Sequence, residues 1–456
     1  MSELTGREDG NAVMPSSTES ISFLQAFKFW LKLGFISFGG PAGQISVMHQ
    51  ELVERRRWIS EHRFLHALNY TMLLPGPEAQ QLATYIGWLF HGVKGGIVAG
   101  ALFVLPSLFI LCALAWVYLV YGNVPVVQGI LYGIKPAVTA IVLFAAYRIG
   151  TRALKNPLHW TIAATAFLAI TVLNVPFPYI VFAAAMIGLV GGFTFPHLLA
   201  ASQNHDACVV DTHYRYVIDD DTAPPEHARF KWSHLIWFVV IGFGTWLGCM
   251  AVLLKLYGWD ATLTQMGWFF TKAALVTFGG AYAVLPYVYQ GAVENYAWLT
   301  APQMIDGLAL GETTPGPLIM VVTFVGFVGG WTKAIFGSDS LLLAGVVAAT
   351  VTTFFTFLPS FLFILVGAPA VEATRDDLKF TAPLSAITAA VVGVILNLAV
   401  FFAYHVLWPD GFTEKFEWVA AAFGVLAFIG LIRFRIGVIP IIAIAALAGL
   451  IYQLLI

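Results

Sequence analysis

The sequence predicts an all-α polytopic membrane protein built from an inverted internal duplication. Apolar residues make up 59% of the 456 residues, charged residues only 11%, and the mean hydropathy is +0.81. Soluble domains carry about 25% charged residues. Apolar runs of about 20 residues, the length that a helix needs to cross a bilayer, recur throughout the chain. Barrel strands would instead show segments of about 10 alternating residues.

The duplication is visible as short motifs that recur at one constant shift of 240 residues, from Phe38 to Phe278. The matched motifs are Lys32 with Lys272, Phe38-Gly39-Gly40 with Phe278-Gly279-Gly280, and Pro75-Gly76-Pro77 with Pro315-Gly316-Pro317. Further on, Leu105-Pro106-Ser107 matches Leu358-Pro359-Ser360. The best-matched positions are Gly, Pro and one Lys in apolar surroundings. The halves therefore share interrupted backbone and a charge within the membrane, not packing alone.

The elements follow one another in five parts. Residues 1–20 are polar, lack a signal-peptide pattern and are predicted to be a disordered tail. Residues 21–200 are predicted to form the first repeat, and the Asp- and Pro-rich stretch 201–232 is predicted to be a polar linker. Residues 233–257 form a connecting transmembrane helix, and 258–456 form the second repeat.

About thirteen hydrophobic segments are expected. They run over 22–40, 64–90, 96–121, 124–147, 158–174, 177–200, 233–257, 264–290, 301–331, 341–367, 382–407, 417–432 and 437–456. Seven of them separate the starts of the two repeats. An odd number of crossings turns the second repeat upside down, so the duplication is predicted to be inverted.

The segments that carry the motifs are expected to be broken or re-entrant helices. If they were full spans, the arginine cluster 55–57 would lie outside, against the positive-inside rule. If 22–60 and 62–91 are hairpins that enter and leave on one face, these arginines lie inside with a cytoplasmic N-terminus. The equivalent stretch of the second repeat carries Glu294 and no Lys or Arg. Full spans remain the alternative.

The breaks at Gly-Gly-Pro and Pro-Gly-Pro are predicted to mark the binding site. Proline lacks an amide hydrogen, and the backbone groups it frees are tolerated at membrane depth only in a cavity or inside protein. A half-helix that starts after such a break presents unpaired N–H groups and the positive end of its dipole, which favours an anion. The alternative is a set of proline kinks that only curve the helices.

Charged and polar residues cluster around these breaks. Lys32 and Lys272 lie inside apolar helices, where a lysine needs a partner or must snorkel to the interface. Glu78 and Glu312 are proton-coupling candidates, although Glu78 could also simply complement its helix start. The predicted substrate-binding residues are Lys32, Gly39, Gly40, Pro41, Gln44, Asn69, Pro75, Gly76, Pro77, Gln80, Gln81, Lys272, Gly279, Gly280, Pro315, Gly316 and Pro317.

Several function classes are disfavoured. The net charge of -2 and the lack of basic clusters give no reason to expect nucleic acid. Neither Cys nor His residues show metal-ligand spacing, and no ATP-binding motif is present, so we expect no metal, no cofactor and no direct use of ATP. A membrane-embedded enzyme would need paired acids or an activated nucleophile in a segment, and none is spaced for it.

The motifs are shared with one known family. They are Phe38-Gly39-Gly40-Pro41 with Gln44, Arg56-Arg57-Trp58, and Leu74-Pro75-Gly76-Pro77 with Gln80. In combination they resemble the chromate ion transporter family in its long two-domain form, over about 23–456. The resemblance implies a multi-pass protein of the bacterial inner membrane that exports chromate and confers resistance. Transport of sulfate or another oxyanion, an anion channel and a homodimer remain open.

Overall fold

The structure is a computed structural model. It describes residues 21–38, 40–194, 216–219, 226–228, 231–278, 280–373, 381–409, 411–413 and 415–455. The predicted tail 1–20, most of the linker 201–232, and the two motif residues Gly39 and Gly279 lie outside the described residues.

The described residues form sixteen α-helices and no strand longer than an isolated bridge. The first eight are α1 (Phe23–Ile36), α2 (Gly40–His49), α3 (Glu61–Leu73), α4 (Glu78–Tyr121), α5 (Pro125–Ala153), α6 (Pro157–Thr171), α7 (Phe177–Thr194) and α8 (Trp232–Tyr257). The others are α9 (Thr262–Leu275), α10 (Ala281–Tyr289), α11 (Ala301–Thr313), α12 (Val321–Thr332), α13 (Leu341–Ala373), α14 (Thr381–Leu407), α15 (Trp418–Ile432) and α16 (Val438–Leu455). Two π-helical turns, Gln50–Arg55 and Gln290–Asn295, continue α2 and α10.

An all-helical membrane protein is the class that these helices define. Six described stretches are long and apolar enough to cross a bilayer. They are Glu78–Tyr121, Pro125–Ala153, Trp232–Tyr257, Ser338–Glu372, Pro383–Leu407 and Val438–Leu455. Four shorter apolar helices accompany them. The count of about thirteen segments stays a prediction.

Helix bounds repeat at the shift that the motifs predicted. The π-helical turns Gln50–Arg55 and Gln290–Asn295 are 240 residues apart, and so are α3, Glu61–Leu73, and α11, Ala301–Thr313. Each of these two helices begins after a hydroxyl residue that caps it, Ser60 or Thr300. The two halves therefore place the same local structure at corresponding positions.

The helices before and after each break form hairpins. Hairpin 1 consists of α1 and α2, and hairpin 2 consists of α3 and the first arm of α4, residues 78–90. Hairpin 3 consists of α9 and α10, and hairpin 4 consists of α11 and α12. Trp58 follows the C-terminal end of hairpin 1. The centre of its ring lies 5.3 Å from that of Phe29 in α1 and 5.8 Å from that of Phe90 near the end of hairpin 2. In the second half, Trp298 lies 5.6 Å from Phe269. These contacts bring the ends of the hairpins in each half close together.

α4 reverses direction at one point. His91 and Gly92 leave helical geometry, with φ of -136° and 61°, and the arms 78–90 and 93–121 then pack against each other. Glycines allow the close approach, because a Cβ on Gly95 would lie 2.2 Å from the Gly87 carbonyl oxygen. In the second half a longer connection, which includes residues 333–340, joins α12 to α13. This longer connection accounts for the larger shift of the Leu-Pro-Ser motif.

The long helices α4 and α13 each pack along hairpins of both halves. The second arm of α4 passes Gly34 of hairpin 1 through Leu102 and Pro106, and its Tyr118 ring lies 5.4 Å from Phe324 of hairpin 4. α13 passes hairpin 4 near its start, where a Cβ on Gly330 would lie 2.4 Å from the Ala344 carbonyl oxygen. Further along α13, the Phe363 carbonyl accepts a hydrogen bond of 3.0 Å from the Tyr70 hydroxyl of hairpin 2.

The remaining helices surround this arrangement. α5 packs on α14, α15 and α16, and α14 also packs on α6 and α7. The predicted connecting helix is α8, which lies at the periphery, since only Gly242, Met250 and Leu253 of its residues are buried. Part of the predicted linker is held in place, because the Val217 and Ile218 amides donate to the carbonyls of Arg57 and Trp58 at 3.1 and 3.0 Å.

We expect Gly95→Ala to lower the thermal unfolding midpoint of the detergent-solubilised protein. The added methyl group would collide with the backbone of the opposite arm of α4, and overpacking costs about 1–3 kcal/mol. Gly244→Ala in α8 is the matched control, since no atom lies within 4 Å of its Cβ position. A Gly95→Ala midpoint equal to that of the control would contradict the close packing of the two arms.

Candidate functional site

The tips of the four hairpins meet through two reciprocal hydrogen bonds. The Gly316 amide donates to the Ser37 carbonyl at 2.8 Å, and the Gly76 amide donates to the Thr277 carbonyl at 2.7 Å. Ser37 corresponds to Thr277, and Gly76 to Gly316, under the shift of 240 residues. The first break of each half therefore pairs with the second break of the other half. We call this meeting point the crossing.

Two glutamine side chains stabilise the irregular backbone at the crossing. Gln44 donates from Nε2 to the Gly316 carbonyl at 2.5 Å and, at 3.5 Å, to the Ser37 carbonyl. Gln81 donates from Nε2 to the Pro75 carbonyl at 2.7 Å. Because backbone carbonyls only accept hydrogen bonds, these contacts fix the orientation of both amide groups. The carbonyl oxygens of the two glutamines are therefore directed away from the backbone that their amide nitrogens hold.

The Leu-Pro-Ser motifs place one serine against the opposite tip in each half. A Cβ on Gly316 would lie 2.8 Å from the Ser107 Cβ, and a Cβ on Gly76 would lie 2.5 Å from the Ser360 Oγ. Both glycines have positive φ, +103° and +128°, which side chains disfavour. The central glycine of Pro-Gly-Pro is thus required twice, for its backbone conformation and for the approach of α4 or α13.

Six buried polar atoms at the crossing have no hydrogen-bond partner among the described residues. They are Oγ of Ser37, Ser107 and Ser360 and Oε1 of Gln44, Gln80 and Gln81. Buried polar atoms normally bond to protein or to ordered water, so this cluster indicates a place for a ligand or water. The hydroxyl groups can donate to an oxyanion. The amide carbonyls can accept only from water or from a protonated ligand.

Helix starts add further donors. α4 begins after Pro77 and α10 after Gly280, and neither helix has a side-chain cap. Their first N–H groups have no partner within the helix. Space is available beside two breaks. Among the described residues, no atom lies within 4 Å of a Cβ placed on Gly40, and only Glu78 Oε1, at 3.8 Å, approaches one placed on Gly280. The arrangement suits a small anion.

Both predicted acids lie at the start of α10. Glu78, in the first turn of α4, is the residue that approaches Gly280. Glu312, which is 5% exposed, accepts a hydrogen bond from the Tyr282 hydroxyl of α10. The two carboxylates come from different halves. The fold nevertheless brings both to the start of one half-helix.

The predicted lysines and Asn69 lie away from the crossing centre. Lys32 is exposed and lies close enough to Glu51 to stabilise its carboxylate, which also pairs with Arg55 at 2.8 Å. Lys272 is half-buried, with its ammonium 5.7 Å from the Trp268 ring centre. Asn69 is exposed on α3.

The remaining predicted residues sit at the tips. They are Gly40, Pro41, Gln44, Pro75, Gly76, Pro77, Gln80, Gln81, Gly280, Pro315, Gly316 and Pro317. Four hydroxyl residues at the crossing, Ser37, Thr277, Ser107 and Ser360, were not among the residues predicted from the sequence. The signal was present, since Ser37 aligns with Thr277 and both Leu-Pro-Ser motifs end in serine.

A helical membrane transporter with interrupted helices meeting at its centre is the class that this fold and site define. The family model of the chromate transporter matches residues 24–189 and 264–450. The chain therefore belongs to the chromate transporter family.

Three relatives match most of this chain. The chromate transport protein of Pseudomonas aeruginosa is 32% identical over 447 residues, 95% of this chain and 94% of its own. The chromate transport protein of Cupriavidus metallidurans is 30% identical, over 83% and 82%. The probable chromate transport protein of Synechococcus elongatus is 29% identical, over 83% and 84%. The comparison with solved structures gives no match.

We expect Gly76→Ala and Gly316→Ala to destabilise the protein more than Gly337→Ala does. All three glycines have positive φ, so each alanine introduces about 1–3 kcal/mol of backbone strain. No atom of the described residues lies within 4 Å of a Cβ on Gly337, whereas the other two would collide with Ser360 or Ser107, adding about 1–3 kcal/mol. Equal thermal midpoints for the three variants in detergent would be incompatible with the packing of the serines on the tips.

Proposed function

We propose that this chain is a secondary transporter that exports chromate across the bacterial inner membrane and so confers chromate resistance. Family membership supports chromate transport. The observation that carries the mechanism is the crossing, where four helix breaks leave hydroxyl groups and helix starts available within the fold. Chromate is a small tetrahedral oxyanion, and such donors bind it without a metal ion.

Direct hydrogen bonds between the tips favour alternating access over an open channel. The Gly316–Ser37 and Gly76–Thr277 bonds close the crossing in this conformation. Passage of an anion requires the hairpin tips to separate. Separation breaks one or both of these two hydrogen bonds between the halves. Tips that part in turn would expose the same hydroxyl groups to either side of the membrane.

An inverted duplication is supported by the course of the two long helices. The second arm of α4 begins beside the hairpins of its own half, passes the crossing at Ser107 and continues beside hairpin 4. α13 does the same in the other half, passing the crossing at Ser360 and continuing beside hairpin 2. Hairpins 1 and 2 would then enter from the cytoplasm, with the N-terminus and the arginine cluster 55–57, and hairpins 3 and 4 from outside.

We infer the residues that couple chromate transport to protons from the charges near the start of α10. An anion at the start of α10 would lie close to the carboxylate of Glu78. Glu312 is held nearby by the hydrogen bond that it accepts from the Tyr282 hydroxyl. We assign proton exchange to these acids, since protonation removes the repulsion. We assign electrostatic attraction of the anion to Lys32 and Lys272, each six residues before its Phe-Gly-Gly and thus about 9 Å along the helix.

Sulfate transport is the second candidate, because sulfate has the same tetrahedral shape. The unpartnered carbonyl oxygens of Gln44 and Gln81 argue for chromate. Chromate is partly protonated near neutral pH and can donate a hydrogen bond to these oxygens. Sulfate is not protonated and needs intervening water.

The inverted arrangement predicts a labelling pattern. Single cysteines at the exposed positions Glu54 and Asn295, in a background without Cys112, Cys208 and Cys249, should label from opposite sides of the membrane with an impermeant thiol reagent. The cysteine at position 54 should react only in everted vesicles and the one at position 295 only in intact cells, after outer-membrane permeabilisation. Labelling of both positions from the same side would exclude the inversion.

Energised everted vesicles should accumulate labelled chromate. Each negative charge leaving a negative interior moves downhill by about 2.3 kcal/mol per 100 mV, so the membrane potential alone can drive export. Collapsing the potential should reduce uptake, and excess sulfate should compete in part. Uptake that is unchanged with the potential and the proton gradient both collapsed would refute secondary transport.

The same assay tests the crossing. The double change Ser107→Ala/Ser360→Ala removes two donors without adding volume and should reduce uptake at least tenfold, since a hydrogen bond to a charged group contributes about 1.5–3 kcal/mol. Ser46→Ala, on an exposed position of α2, is the matched control. Wild-type uptake by the double variant would place the substrate elsewhere.

A further inference from the structure

A polar cavity lies at the far end of the second arm of α4 from the arginine cluster. Its volume is about 490 Å³, within the range of roughly 300–1,000 Å³ that is typical of ligand sites. Its wall comes from the end of α4, the start of α5, α11 and α16. The residues that carry polar groups into it include Tyr118, Gln128, Tyr132, Lys135, Gln303 and Asp306.

An ion pair between α5 and α11 forms part of the wall of this cavity. Lys135 Nζ lies 3.4 Å from Asp306 Oδ2, which also accepts a hydrogen bond of 2.9 Å from the Tyr118 hydroxyl. Lys135 is ten residues into α5, about 15 Å along the helix. Ionisable residues inside membrane helices are costly to bury and usually mark an ion pathway.

The pair is not fully satisfied. The Asp306 side chain is 4% exposed, and its Oδ1 has no partner among the described residues. The Lys135 side chain is 31% exposed, and Asp306 is its only ion-pair partner in the described part of the chain. An ammonium group has three donors, so two remain for the cavity. The side-chain Oε1 of Gln303 accepts a hydrogen bond of 2.8 Å from the backbone amide of Thr300. The side-chain NH₂ of Gln303 is therefore another donor for the cavity.

We propose that this cavity is a second binding station for the tetrahedral oxyanion, with Lys135 as its anion-binding group and Asp306 as the tether of Lys135. When the station is empty, Asp306 holds and partly neutralises the lysine. An anion that enters shares the lysine through its free donors. On release, the ammonium returns to Asp306.

The position of the station gives it a role in the transport cycle, which rests on the proposed function. The second arm of α4 spans 93–121, about 43 Å at the helical rise, and the cavity adjoins its end beyond the crossing. If the arginine cluster is cytoplasmic, the station faces outside. It would then receive the anion from the crossing before release.

Protection of Lys135 from chemical modification tests the station directly in the purified wild-type protein. An uncharged acylating reagent is applied in sulfate, in chromate and in chloride of equal ionic strength, and peptides are quantified by mass spectrometry. We expect sulfate or chromate to slow acylation of Lys135 at least threefold. Lys255, exposed in the last turn of α8, is the internal control and should react equally in all three salts.

Asp306→Asn provides the second arm, because it frees Lys135 without changing side-chain size. Lys135 should react faster without oxyanion, and a lower concentration of sulfate should protect it. Equal acylation of Lys135 in chloride, sulfate and chromate would overturn the station, and an unchanged protecting concentration in Asp306→Asn would overturn the tether.

Vesicle transport separates this proposal from the proposed function. Protection that persists in a protein without chromate transport would leave the station standing and refute the transporter assignment. Transport without protection of Lys135 would refute the station alone.

Discussion

The hydrogen bonds between the hairpin tips are the constraint on which the structure depends. Inside a bilayer, backbone N–H and C=O groups must find partners within the protein, so a helix can end at membrane depth only against another part of the chain. Each Pro-Gly-Pro tip gives its glycine amide to the other half, at Ser37 or Thr277. The central glycine amide of each Pro-Gly-Pro thus finds its partner only in the opposite half.

This mutual dependence explains the residues around the breaks. A glycine is needed where the backbone takes a positive φ and where a serine of α4 or α13 lies against it. Gln44 and Gln81 bind the carbonyl groups that the missing helical turns leave without partners. What remains unpaired, three hydroxyl groups and three amide carbonyls, lies at the point that any movement of the hairpins would open.

The placement of charge follows the same physical rule, because an ionised group in apolar surroundings needs a partner. Glu51 pairs with Arg55 and Arg56 where hairpin 1 returns, and Asp306 pairs with Lys135 at the far end of α4. The crossing between them has hydroxyl groups and carboxylates, while its lysines lie to the side.

Much of this architecture could be predicted from the sequence. Composition decides the helical membrane class, and Pro and Gly decide where helices break, because their effects on the backbone are local. The helix ends at 36, 73, 275 and 313 agree with the predicted breaks. The pairing of each tip with the opposite half could not be predicted, nor could the approach of Ser107 and Ser360. The ion pair of Lys135 with Asp306 and the exposure of Lys32 also depend on how the helices pack. These contacts join residues far apart in the chain, and no local periodicity records which surfaces will meet.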